Sequence, residues 1–283
     1  MTARNILLGL LMGALLATGA HAAGNAAGLA AEGERRLAAA DFDGALKAYG
    51  DAAAADRANG DYQQQFAILR QVIQLRGAVA GEPSPQKWET MARALRSYYY
   101  DHRLYAESLP LDQQRYGRAS TPENGALLAE TLLELGRNAD AETAVASHHG
   151  SDSPPAARLL YGIALARQGR LEPARAIANA VTLAEGAPAD PLFHAARLQA
   201  LLGQPDVSAA LLTRAMEATP PAGLGLARER ARACADFGPV ASTPAFAAAL
   251  ETGSKMTVSK CSMGPSCGGC PMAKGCAKTK STE

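Results

Sequence analysis

Apolar positions recur at helical spacing through most of the chain, and the clearest run lies between Ser153 and Pro220. It holds two similar halves, LLYGIALARQGRLEPARAIANAV and FHAARLQALLGQPDVSAALLTRAMEATPP. Each half has a small residue in mid-helix (Gly162, Ala196), a glycine seven residues on (Gly169, Gly203), and then a second apolar segment. Small residues let antiparallel helices approach closely, and a glycine ends a helix in a left-handed cap. Pro220 stands where the second helix of the later half should stop. The halves lie about 34 residues apart, the period of a helix–turn–helix repeat.

The same pattern extends towards the N-terminus. Asn25 to Asp56 predicts a first hairpin, with Gly33 as its small residue, Asp41-Phe42-Asp43 as its turn, and Ala45, Tyr49 and Ala52 lining the second helix. Tyr62 to Ala78 predicts a helix on Phe66, Leu69, Ile73 and Leu75, broken by Gly81-Glu82-Pro83-Ser84-Pro85. This stretch fits the period poorly and is expected to be irregular. Trp88 to Gly117 returns to the pattern, with Tyr99 on the first helix, Tyr105 at the turn, and Ser108-Leu109 opening the second helix so that Pro110 falls in its first turn. Ala126 to His148 repeats it with Ala129, Leu132, Gly136 and Ala141. Ser108, Ala141, Ala174 and Ser208 are then equivalent, at spacings of 33, 33 and 34. Helices at about 225–237 and 243–250 are expected to cap the array, whose end otherwise exposes apolar surface.

These small-residue, glycine, alanine and proline positions resemble the tetratricopeptide repeat (TPR) family. The resemblance implies an all-α, right-handed α-solenoid of about five hairpins, working as a binding device. Its first helices would line a groove for a peptide or protein partner. Transferred by position, the family's groove residues are Glu34, Tyr100, Asp101, Glu130, Glu134, Arg167 and Arg197. Their mixed charge suits a polar peptide, although any solenoid carries solvated residues there. The family's Lys/Asn clamp for acidic C-terminal peptides is not matched. Tyr98-Tyr99-Tyr100 should place at least one ring on the surface or in the groove, because successive helical side chains diverge by about 100°.

Composition refines this picture. The 283 residues are 48% hydrophobic and only 5% aromatic, which favours close-packed helices. The start of the chain has a basic residue (Arg4), an apolar run from Ile6 to Leu16, and Ala20-His21-Ala22, which together predict a signal peptide over 1–22 and export to a periplasm or the medium. Without it the chain carries 27 basic and 27 acidic side chains, so no basic footprint for nucleic acid is present. No nucleophile elbow, phosphate loop or H-E-x-x-H motif occurs, and a non-enzyme is expected. His148-His149 at a helix end suits a dipole role better than a metal site.

The repeat region is assigned to 23–250, and a Lys/Gly/Cys-rich tail to 251–283. Cys234 reads as a buried, inert thiol, whereas Cys261, Cys267, Cys270 and Cys276 form C-x5-C-x2-C-x5-C. Four thiolates this close can hold zinc, an iron–sulfur centre or copper(I), and Met263 and Met272 favour copper(I). In an oxidising compartment the same cysteines can pair as disulfides, in one of three connectivities. The tail can also be a substrate for modification, while thiol–disulfide catalysis by Cys267 and Cys270 lacks a surrounding fold to tune it.

Overall fold

The computed structural model describes residues 24–256. The signal sequence over 1–22 and the four tail cysteines therefore lie outside the described residues. Among those described, the structure is helical with no strand. In chain order the helices are α1 over 24–38, α2 Phe42–Ala55, α3 Gly60–Gly81, α4 Pro85–Asp101, α5 Tyr105–Arg118, α6 Pro122–Glu134 and α7 Asn138–Val145. There follow α8 Pro155–Arg167, α9 Leu171–Ala180, α10 Ala189–Leu201, α11 Pro205–Glu217, α12 Leu224–Ala233 and α13 Pro244–Glu251.

Five of the turns are built alike. Ala40, Arg103, Gly136, Gly169 and Gly203 have positive φ, between 57° and 77°. At each, the residue after the turn donates its N–H five residues back: Asp41 to Arg36, Leu104 to Tyr99, Arg137 to Leu132, Arg170 to Leu165 and Gln204 to Gln199. The turn residue itself donates three residues back, as Gly136 does to Leu133 at 3.0 Å. This is the Schellman pattern, and here the residue that closes it also starts the next helix. It joins α1 to α2, α4 to α5, α6 to α7, α8 to α9 and α10 to α11. Five residues after each turn sits a small residue with no exposed surface: Ala45, Ser108, Ala141, Ala174 and Ser208. The repeat expected from the sequence is thus present as backbone geometry.

Two turns use a residue other than glycine, at a backbone cost of about 1–2 kcal/mol each. Ala40→Gly should stabilise the protein by about 0.5–1 kcal/mol, since glycine's greater freedom when unfolded takes back part of the gain. Gly169→Ala should lose about 1 kcal/mol or more through φ alone, because an added Cβ there meets nothing within 4 Å. Urea melts of both variants test this, and an unchanged Gly169→Ala would contradict it.

Some expected details move. The second helix of the α4–α5 hairpin opens at Tyr105, not Ser108, so Pro110 lies inside α5 rather than in its first turn. The Schellman bond from Leu104 to Tyr99 closes the turn early, and exposed Pro110 is tolerated. The helix expected to run to Phe237 stops at Ala233, where Cys234 turns extended and a short 3-10 turn covers Ala235–Phe237. Among the described helices, α3, α12 and α13 stand outside these five pairs.

The chain divides into two compact units, one ending at Thr182 and one beginning at Leu183, where the sequence predicts a single repeat domain. The break falls in the irregular link between α9 and α10, around Gly186 and Pro188. In the first unit, Trp88, Leu95, Tyr99, Phe42, Tyr49 and Leu69 form the core of the early helices. Gly33 is needed there, since a Cβ would stand 3.0 Å from the Tyr49 ring. In the second unit, Phe193, Phe237 and Phe246 pack ring to ring at 5.6 and 5.3 Å. α13 buries Phe246, Ala249 and Leu250 in that core and caps the unit, with Thr243 as its N-cap.

Candidate functional site

Counted from the left-handed turn residue, the groove positions taken from the TPR pattern fall into register. Glu34, Glu130 and Arg197 stand six residues before their turns, and Asp101, Glu134 and Arg167 two before. These two positions share one face of each first helix. The structure treats them unequally. Glu34 and Asp101 are exposed, and Glu134 and Arg167 are half-buried. Glu130 is only 7% exposed, and Arg197 has no exposed surface. A guanidinium enclosed in this way cannot meet a docked peptide, so Arg197 is a core residue and not a groove residue. Arg167 reaches one hairpin back, its Nη1 donating to the carbonyl of Leu133.

Glu130 belongs to a polar cluster where α4, α5 and α6 meet. Arg96 Nε donates to both oxygens of Asp112, at 3.0 and 3.2 Å, and its Nη2 donates to Glu130 Oε2 at 2.8 Å. Thr131 Oγ1 donates to Asp112 Oδ2 at 2.6 Å and lies 2.5 Å from the Tyr100 hydroxyl. Arg96 also lies 3.9 Å from the Tyr100 ring centroid. Arg115 adds its Nη1 at 3.6 Å from Asp112 and donates through Nε to Glu89 at 3.1 Å. Burial lifts the Asp112 carboxyl above the ordinary aspartate range, and Arg96 and Thr131 offset part of that rise. Burial opposes the charge on Arg96, but Glu130, Tyr100 and Asp112 outweigh it, so the guanidinium is held more firmly protonated. The Tyr100 hydroxyl is pushed well above its usual range by burial and then by Glu130.

Arg96 and Asp112 were not singled out by the sequence reading, although the register contains the signal. Arg96 occupies the small-residue slot seven before its turn, held elsewhere by Gly33, Ala129, Gly162 and Ala196. Asp112 occupies the slot nine after it, held elsewhere by Tyr49, Val145, Ala178 and Leu212. In one hairpin a small–apolar pair has become an ion pair. An alignment of the five hairpins shows both exceptions at once.

The tyrosine run is also absorbed into packing. Tyr99 is buried edge-on against Phe42, Tyr98 stacks on His102 at 4.1 Å, and Tyr100 joins the polar cluster. Tyr99 is buried and Tyr98 and Tyr100 are half-buried, so no ring of the run stands fully on the surface. The adjacent histidines part, His148 towards Tyr116 and His149 stacked on Tyr161 at 4.3 Å.

In the second unit, Arg197 Nε donates to Asp236 Oδ2 at 2.8 Å, and the Cys234 thiol lies 3.8 Å from the same oxygen. Cys234 is buried, as expected for a structural thiol. The route into the tail is tied down beside it. Arg228 donates to the carbonyls of Leu250 and Thr252, at 2.6 and 3.1 Å. The Lys255 N–H donates to the Glu217 carbonyl at 2.9 Å, and its Nζ lies 2.7 Å from Glu217 Oε1. Glu217 and Lys255 border an open pocket of about 520 Å³, lined also by Glu185, Arg214 and Met256 among others. Met256 is about half exposed.

Among the described residues no group of three or more His, Cys, Asp or Glu side chains is placed to hold a metal ion. Nor is any described helix long and apolar enough to cross a membrane. No protein family matches the chain, and no curated protein matches it.

Proposed function

We propose that the protein is an exported, non-catalytic TPR-like scaffold that docks a peptide or protein partner and carries a soft-metal-binding tail. The observation that carries this reading is the pairing of a regular hairpin array with an anchored tail root. Four of the Schellman turns lie in the first unit and support a display surface there, with Glu34 and Asp101 exposed and Glu134 half-buried. Such a face favours a partner segment with basic residues. The bonds from Arg228 and Glu217 hold residues 250–255, so the cysteine segment starts from a fixed point. Cys261, Cys267, Cys270 and Cys276 then supply thiolates for copper(I) or zinc. A second reading rests on the same cysteines: in an oxidising compartment they pair or are modified, and the chain is an assembly module.

Native and denaturing mass spectrometry of the protein recovered from an exporting cell, with thiol alkylation, separates the two. A metal-shifted native mass and four alkylatable tail thiols after chelation is the expected result. Two disulfides and no metal would leave the second reading. A photo-crosslinking residue at Asp101 or Glu134 should trap a polypeptide in that cell, and no trapped product at either position would remove the docking face.

A further inference from the structure

Three stretches of the C-terminal unit meet around the open pocket of about 520 Å³. The link before α10 supplies Glu185 and Ala187, the end of α11 supplies Arg214 and Glu217, and the segment after α13 supplies Lys255 and Met256. Its charges are engaged differently. Arg214 is turned onto the link, its Nη2 donating to the carbonyls of Leu183 and Ala184 at 3.4 and 2.6 Å. Glu217 is the last residue of α11, where the helix carbonyls leave a partial negative charge that favours a cation. Lys255 meets it twice: its N–H donates to the Glu217 carbonyl at 2.9 Å, and its ammonium lies 2.7 Å from Glu217 Oε1. The second contact is a surface one, because the Lys255 side chain is 75% exposed. An exposed ion pair of this kind shifts an equilibrium by at most about fivefold, so the ammonium can leave while the backbone bond keeps the chain in place.

We propose that this pocket takes a lysine or arginine side chain of a polypeptide partner, and that Lys255 holds the place of that side chain until the partner arrives. The site goes beyond the docking face of the first unit, since it is built wholly from the C-terminal one. The pocket offers what such a side chain needs. Ala187, 9% exposed, and half-exposed Met256 give an apolar wall for the methylene stem. Glu217 accepts from the charged head, and exposed Glu185 adds a second carboxylate to the lining. With the Lys255 ammonium displaced, the two carboxylates outnumber Arg214, and the lining is net negative. An anionic ligand would face those carboxylates with Arg214 already turned to the link carbonyls. Binding therefore competes with a residue of the chain itself. A partner frees the Lys255 side chain but not its N–H, so the tail root stays anchored.

The test titrates the full mature chain, labelled with carbon-13 in its methionine methyl groups, with tetralysine and follows the Met256 signal by NMR. Met256→Leu assigns that signal. Met256 lines this pocket, so the outcome is separate from the crosslinking test at Asp101 and Glu134. Tetralysine should shift the signal to saturation in wild type. Lys255→Ala should reach half-saturation at a concentration about two- to fivefold lower, because the competing ammonium is gone. Glu185→Gln with Glu217→Gln should need at least about tenfold more tetralysine, with an unchanged circular dichroism melt. Equal affinity of Lys255→Ala and wild type would overturn the competition. Equal affinity of the double-glutamine variant would remove the carboxylates, and with them the site. A Met256 response to tetraglutamate but not to tetralysine would make this an anion pocket, and no response in wild type or in Lys255→Ala would overturn the proposal.

Discussion

Asp112→Ala should destabilise the N-terminal unit by about 3–5 kcal/mol, the cost of removing one member of a buried ion pair. Asp112 has no exposed surface and accepts from Arg96, Ser108 and Thr131. Without it, Arg96 keeps Glu130 but loses the carboxylate its Nε donates to, and Arg115, 4% exposed, loses the farther of its two carboxylates and keeps Glu89. The register supplies a sharper test than the single variant. Arg96→Ala, Asp112→Val and Glu130→Ile together install the residues found one hairpin later, at Ala129, Val145 and Ile163. Apolar replacement of buried charges that pair with one another is often neutral or better, and Arg115 keeps Glu89, so the triple variant should return to within about 1–2 kcal/mol of wild type. Urea unfolding of the full chain, followed by circular dichroism, measures both. A single variant within about 1 kcal/mol of wild type would show that the cluster is solvated, since a desolvated charge left alone costs more than that. A triple variant no better than the single would show that the five hairpins are not interchangeable in register.

Asp236→Ala should have a similar effect on the C-terminal unit, again about 3–5 kcal/mol, by removing the Asp236 carboxylate that meets the fully buried Arg197 guanidinium. Cys234 gives a local readout, because its thiol is buried beside the same carboxylate. Under native conditions its alkylation requires the unit to open. A loss of that size should speed labelling of Cys234 by about two to three orders of magnitude, since about 1.4 kcal/mol corresponds to tenfold. Peptide mapping separates Cys234 from the tail cysteines. Asp236→Asn keeps an acceptor and should fall between wild type and alanine. Labelling of Asp236→Ala at the wild-type rate would mean that Arg197 finds another counter-charge at no cost.

The helices and their period were legible because both come from local chemistry. Glycine at three turns marks a left-handed residue, and alanine or serine five residues on marks a close helix approach. Ala40 and Arg103 adopt the same backbone without glycine, so those turns could be placed only by analogy. Burial on the first-helix face was not legible. Glu34, Glu130 and Arg197 occupy one register position, yet the first is exposed and the other two are enclosed. Charge in a sequence reads as surface, yet Arg197 is inside, where Asp236, from a turn 39 residues away, meets it. The same long-range complementarity hid Arg96 and Asp112. The boundary at Thr182 also escaped, since both flanking hairpins obey the period and only the link between them departs from it.

The tail root has a consequence for reach. Its last anchored residue is Lys255, and Cys261 follows six residues later. A fully extended chain advances about 3.3–3.6 Å per residue, so the first thiol stays within about 20 Å of the Lys255 anchor. A partner seated on the C-terminal unit near Lys255 would therefore lie within that radius of the first thiol.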